Sequence, residues 1–105
     1  MMLLQRNEAS RLIVLLGNVV ALMEACYILE EDKNWWVNQM VNIYSARENK
    51  RPIDIFKKAI RKKLIGRESL VDMTFLPREN TKLTYDKATR MQIKLADKLF
   101  EIVTN

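Results

Sequence analysis

The sequence contains its longest apolar run at residues 12–29, LIVLLGNVVALMEACYIL, and this run decides the fold. Its length approaches the roughly 20 residues that a membrane-spanning helix needs. Asn18 and Glu24 lie inside the run, and three acidic residues follow it directly. Because a carboxylate at membrane depth is costly in free energy, we expect a helix buried in a protein core and not a membrane span.

This first helix is predicted to begin at Ser10, whose hydroxyl can cap it, and to end at about Glu31. Its side chains are apolar on nearly every side, which is typical of a central helix surrounded by other elements. Gly17, Ala21 and Ala25 recur every four residues and line one stripe of it. The stripe predicts close helix packing, with a homodimer contact as the alternative.

Three further helices are predicted along the chain. The second runs from Trp35 to about Ala46, after a break at residues 31–34, and only one of its adjacent tryptophans can face the core. A polar linker at residues 47–51 leads to the third helix, residues 52–65, which Gly66 caps. Residues 67–76 fit either a helical or an alternating pattern, and residues 77–82 form a loop. The last helix covers residues 84–103, with a core stripe of Ala88, Met91, Leu95, Leu99 and Ile102.

The length and the composition of the chain limit the architectures that it can adopt. The 105 residues suffice for one hydrophobic core, so we expect a single domain, residues 1–105. With only two Gly and two Pro, the chain favours an all-α fold, a compact bundle of about four helices around the first one. The single cysteine, Cys26, cannot form an internal disulfide and lies in the apolar run. It is therefore expected to be a buried hydrophobic residue of a cytoplasmic protein.

The chain lacks histidine, which removes the commonest catalytic base and metal ligand. Serine and cysteine triads, zinc sites built from Cys and His, and glycine-rich phosphate loops are all ruled out by composition. Two carboxylate pairs remain. Glu30 and Glu31 lie next to a predicted helix end, and Asp97 and Glu101 lie beside Lys94 and Lys98, so surface ion pairing explains the latter. We therefore expect no enzymatic activity, no cofactor and no metal site.

The charge is concentrated in one part of the chain. Residues 47–67 hold nine basic and two acidic residues, a net charge of +7, whereas the whole chain carries +5. In the predicted third helix, an apolar face formed by Ile53, Phe56, Ile60 and Leu64 opposes a basic face formed by Lys57, Lys58, Arg61 and Lys62. Such a helix attracts anionic partners.

The partner class most consistent with this pattern is a protein with an acidic surface. Nucleic acid is the alternative, but residues 51–54 offer little for reading bases. An anionic membrane surface is disfavoured, because the apolar face would have to leave the core. A purely solvated helix face is the fourth interpretation. The candidate partner-binding residues are Lys50, Arg51, Lys57, Lys58, Arg61, Lys62 and Trp35. The cations would steer the partner, and Trp35, Tyr44 or another nearby aromatic would supply the apolar anchor, because tryptophan is enriched at binding hot spots.

Overall fold

A computed structural model describes the backbone of residues 2–104 and the side chains of residues 7–104. It contains four α-helices and one short 3-10 turn at Leu70–Asp72. The helices are α1 (Met2–Glu24), α2 (Glu30–Glu48), α3 (Asp54–Lys62) and α4 (Tyr85–Val103). Each packs against the next, α1 on α2, α2 on α3, α3 on α4 and α4 on α1, around one hydrophobic core. The prediction of an all-α bundle of about four helices is confirmed.

Helix α1 carries its buried residues at a spacing of three and four, as an amphipathic helix does. The buried positions are Ala9, Leu12, Leu16, Val19, Leu22 and Met23. Its outer side stays exposed, however, with Val14 at 63%. None of the helices in the described part of the chain combines the length and apolar character that crossing a bilayer requires.

Both predicted ends of the first helix are wrong. Ser10 lies inside α1, and its hydroxyl accepts a hydrogen bond from Arg47 Nη1 at 3.2 Å, so its polarity serves packing on α2 and not capping. The helix stops at Glu24 because the chain beyond it pairs with a distant segment. The Arg78 N–H donates to the Ala25 carbonyl (2.9 Å) and the Tyr27 N–H to the Leu76 carbonyl (2.9 Å).

Between these two bonds lies Cys26, which is fully buried as predicted. Burial raises the pKa of its thiol, which keeps it protonated and unreactive. Arg78 also donates from Nε to the Glu24 carbonyl at 3.2 Å. The segment around residues 76–78 therefore satisfies carbonyl groups at the end of α1 that no further helical turn satisfies.

Helix α2 begins earlier and ends later than predicted. Residues 31–34, interpreted as a break, lie inside it, because the acidic residues at positions 30–32 form its first turn, where carboxylates favour the helix dipole. Its last residue is Glu48, inside the predicted linker. As expected for adjacent tryptophans, Trp36 is buried while Trp35 is only half-buried.

Helix α3 is shorter than the predicted 52–65: it begins at Asp54, two residues after Pro52, and ends at Lys62, so Gly66 is not its immediate cap. The glycine instead has φ +92° in the turn that follows, a conformation that side chains disfavour. The undecided segment 67–76 folds as irregular chain around the 3-10 turn. It is held to α4 by Gln92, whose Nε2 donates to the carbonyls of Leu70 (2.7 Å) and Met73 (2.8 Å).

Helix α4 begins at Tyr85, and the Thr84 hydroxyl caps it by accepting from the Lys87 N–H. Four of the five predicted core positions are buried, but Met91 is 44% exposed, so that assignment is wrong. Gln92 takes the inward place because its amide satisfies two carbonyls there.

Candidate partner-binding surface

A shallow groove of about 400 Å³ lies where the end of α2 meets the start of α3. We call it the α2–α3 groove; its lining residues are Asn42, Ser45, Ala46, Arg51, Pro52, Ile55 and Phe56. It forms because the chain reverses between the two helices. This groove brings the predicted residue Arg51 beside apolar side chains.

The exposed face of α3 continues from this groove. Ile55, Lys58 and Lys62 are spaced three and four residues apart and share one side of the helix, with Arg61 alongside. All four are exposed, and among the large apolar residues of positions 7–104 Ile55 is the most exposed, at 72%. We call Arg51, Ile55, Lys58, Arg61 and Lys62 the basic surface.

Lys57 does not belong to this surface, and its predicted place on the solvated face is wrong. It is buried at 8% exposure and its Nζ lies 3.1 Å from Glu8 Oε2 of α1. Its position, three residues before Ile60 and four after Ile53, places it on the core side of α3. The ammonium is accommodated there because the Glu8 carboxylate pairs with it.

Lys50 is exposed and occupies a backbone conformation that favours glycine. Its φ is +54°, its N–H donates to the Arg47 carbonyl (3.3 Å), and the Arg51 N–H donates to the Ala46 carbonyl (2.8 Å). This is the Schellman arrangement that closes many helices, usually with glycine in the left-handed position. The chain thus places a cation where the backbone alone would favour a residue without a side chain.

Trp35 lies away from the α2–α3 groove, near the other end of α3. Its ring meets Trp36 edge to face with centroids 4.9 Å apart, and Lys63 Nζ lies 5.2 Å from the Trp35 centroid. It also packs against the hydrophobic core. Ile55, and not Trp35, is therefore the apolar residue that shares the exposed side of α3 with Lys58 and Lys62.

The other basic residues of segment 47–67 divide into two groups. The first group is Arg47, which already has partners within the chain: it forms an ion pair with Glu48 at 3.1 Å and lies 5.0 Å from the Tyr44 ring centroid. In the described part of the chain, no ion pair involves the exposed cations of the second group: Lys50, Arg51, Lys58, Arg61, Lys62 and Arg67. The cations of the basic surface are thus not neutralised by ion pairs within those residues.

A sequence signal for Ile55 existed, although the prediction did not use it. Ile55 falls outside the apolar face of Ile53, Phe56, Ile60 and Leu64 and inside the row of cations. An apolar residue on the polar face of an amphipathic helix has no partner in the core. Such a residue is a candidate for contact with another molecule.

The small-residue stripe of α1 does not form one continuous contact. A Cβ atom added to Gly17 would lie 3.8 Å from Met40 Sδ, so this position faces α2. Ala21 is exposed and, with Ala25, lines a second groove, between α1 and α4. A homodimer contact through the stripe therefore remains a prediction, and it would involve Ala21 and Ala25 but not Gly17.

Within the described residues, no three His, Cys, Asp or Glu side chains lie close enough together to hold a metal ion. Comparison with family models, with curated proteins and with solved structures finds no match to this chain.

Proposed function

We propose that this chain is a non-enzymatic cytoplasmic regulator or adaptor that binds a larger protein through its basic surface. The observation that carries the proposal is the exposure of Ile55, at 72%, among cations that have no ion pair in the described part of the chain. The partner would offer carboxylates to Lys58, Arg61 and Lys62, and an apolar side chain to Ile55 and the α2–α3 groove. Lys50 and Arg51 would extend the contact at the groove end.

A protein partner is favoured over nucleic acid because the surface combines apolar and cationic groups. Phosphate binding needs cations alone, and burying Ile55 would add nothing to it. Protein interfaces, in contrast, have an apolar centre and a polar rim. The start of α3 also carries Asp54, whose charge would repel phosphates at the helix end that usually reads bases.

The electrostatic part of the interaction would act mainly on the rate of association. Exposed cations steer an acidic partner to the surface, and the apolar groove then slows dissociation. The non-enzymatic part of the proposal rests on composition, since a chain without histidine and with two glycines lacks the usual catalytic arrangements. The cytoplasmic assignment rests on the single buried cysteine.

The proposal is tested by affinity capture from a cytoplasmic extract, at low and at moderate salt, with and without nuclease. A protein partner is retained after nuclease treatment and loses only part of its binding at moderate salt. Loss of all binding with nuclease, or a steep loss with salt, would instead assign the surface to nucleic acid.

A further inference from the structure

A second groove, of about 620 Å³, lies between α1 and α4 and shares no residue with the α2–α3 groove. Its apolar lining includes Ala21 and Leu22 from α1, Ala25 directly after the end of α1, Leu83 from the connection before α4, and Met91 and Leu95 from α4. The volume lies within the range of about 300–1,000 Å³ that is typical of small-molecule sites. We call this feature the α1–α4 groove.

The depth of the α1–α4 groove comes from two short side chains. Ala21 and Ala25 are one helical turn apart, so they leave a trough where longer side chains would fill the space beside α4. Met91, exposed at 44%, forms part of its wall.

Three lysines, Lys82, Lys94 and Lys98, line the same groove. All are exposed, and none takes part in an ion pair with another described residue, so the pairing of Lys94 and Lys98 with Asp97 and Glu101 that the sequence suggested is not formed. Lys94 and Lys98 are one turn apart, a like-charge spacing that slightly destabilises an isolated helix. The groove is therefore apolar along its floor and strongly cationic at its rim.

From this combination we infer that the α1–α4 groove binds a single-chain anionic amphiphile of the fatty-acid class. The acyl chain would lie in the trough over Ala21 and Ala25, against Leu22 and Leu95. The carboxylate would receive charge-assisted hydrogen bonds from Lys94 and Lys98. This inference does not depend on the proposed protein partner, because the two grooves have no residue in common.

Two other occupants fit the groove less well. A second copy of the chain, docked on the same face about a two-fold axis, would bring Lys94 and Lys98 close to the same lysines of its partner. A partner helix is about 10–12 Å wide with its side chains. The trough is formed by only two short side chains, so it is too narrow for a helix. An acyl chain is narrow enough to lie in it.

The test uses dodecanoate below its micelle concentration as the probe, with binding to the full chain measured by isothermal titration calorimetry. We expect binding to the unmodified protein, and at least about tenfold weaker binding to Ala21→Leu, which fills the trough. Lys94→Glu with Lys98→Glu should weaken binding at least about tenfold through loss of the charged contacts. Val14→Leu, on the exposed side of α1, is the matched control and should bind as the unmodified protein does.

Circular dichroism establishes that each variant is folded, and dodecanol tests the role of the carboxylate, since it should bind more weakly than dodecanoate. Absence of dodecanoate binding, or equal binding to Ala21→Leu, would overturn the inference. Binding of an acidic amphipathic peptide but not of dodecanoate would reassign the groove to a helix. Concentration-dependent dimerisation that Ala21→Leu abolishes would reassign it to a second copy.

Discussion

Lys57 of α3 and Glu8 of α1 form an ion pair, with Nζ and Oε2 3.1 Å apart and with both side chains largely shielded from solvent. The two residues are 49 positions apart in sequence, so the pair connects the first helix to the third. This contact removes one cation from the solvated face of α3. It also determines which lysines a binding experiment should change.

The ion pair predicts a loss of stability when its carboxylate is removed. Glu8→Ala should lower the free energy of unfolding by about 1–3 kcal/mol, because the shielded Lys57 ammonium loses a charged hydrogen-bond acceptor. Glu48→Ala, which removes an exposed pair with Arg47, is the control and should cost less than about 1 kcal/mol. Urea unfolding measures the free energy of unfolding of both variants. Equal losses would show that the pair of Lys57 and Glu8 stabilises the fold no more than an exposed pair does.

A second prediction concerns Gln92, which holds residues 70–73 against α4. Gln92→Leu should destabilise the protein by about 2 kcal/mol, since the carbonyls of Leu70 and Met73 lose a buried donor. Arg90→Leu, at an exposed position of the same helix, should change stability by less than about 0.5 kcal/mol. Thermal and urea unfolding compare the two; an unchanged midpoint for Gln92→Leu would contradict the role of this amide.

The pKa of Glu79 is held below its ordinary value near 4.5, chiefly by a hydrogen bond that its carboxylate accepts from the Tyr27 hydroxyl. Tyr27→Phe should therefore raise the pKa of Glu79 towards that value, as measured by NMR of the carboxyl carbon. A depressed carboxyl pKa stabilises the fold above the unfolded-state pKa and loses this effect as the pH falls through the folded-state pKa.

The stability difference between the unmodified protein and Tyr27→Phe should consequently be present near neutral pH and shrink below about pH 4.5. Tyr85→Phe, also at an exposed tyrosine, is the control and should leave the pKa of Glu79 unchanged. A Glu79 pKa that does not move in Tyr27→Phe would refute the assigned cause.

Ile55 is predicted to matter for binding and not for folding. Ile55→Ser should change the free energy of unfolding by less than about 0.5 kcal/mol, because the side chain is 72% exposed. Binding of the captured partner should weaken about tenfold, as expected for loss of an apolar contact at an interface centre. Val14→Ser, at a position 63% exposed on α1, should leave affinity unchanged. Equal affinities of the two variants for the partner would show that Ile55 does not contribute to binding.

Much of the fold could be predicted because its determinants are local. The apolar spacing and the Thr84 cap define α4 within one residue of its observed start. The end of α1 could not be predicted, because the apolar run continues to Leu29 while hydrogen bonds from residues 27 and 78 end the helix. No local pattern marks a pairing between segments so far apart in sequence.

The candidate site was also predictable only where its determinants are local in sequence. Charge density identified α3, and Lys58, Arg61 and Lys62 lie on its exposed face as expected. Lys57 could not be separated from them, because its partner Glu8 lies far away in sequence. Trp35 was favoured as an anchor by residue type, yet its place depends on packing against Trp36 and the core.

The most direct test of the central claim is quantitative affinity capture with a charge-reversed basic surface. The variant combines Lys58→Glu, Arg61→Glu and Lys62→Glu and leaves Lys57 in place. The control, Arg11→Glu with Lys87→Glu and Arg90→Glu, changes the net charge equally at exposed positions elsewhere. With nuclease present and folding verified by circular dichroism, we expect a protein retained by the unmodified chain and the control but lost from the variant. Retention of the same proteins by all three would contradict the assignment of the basic surface.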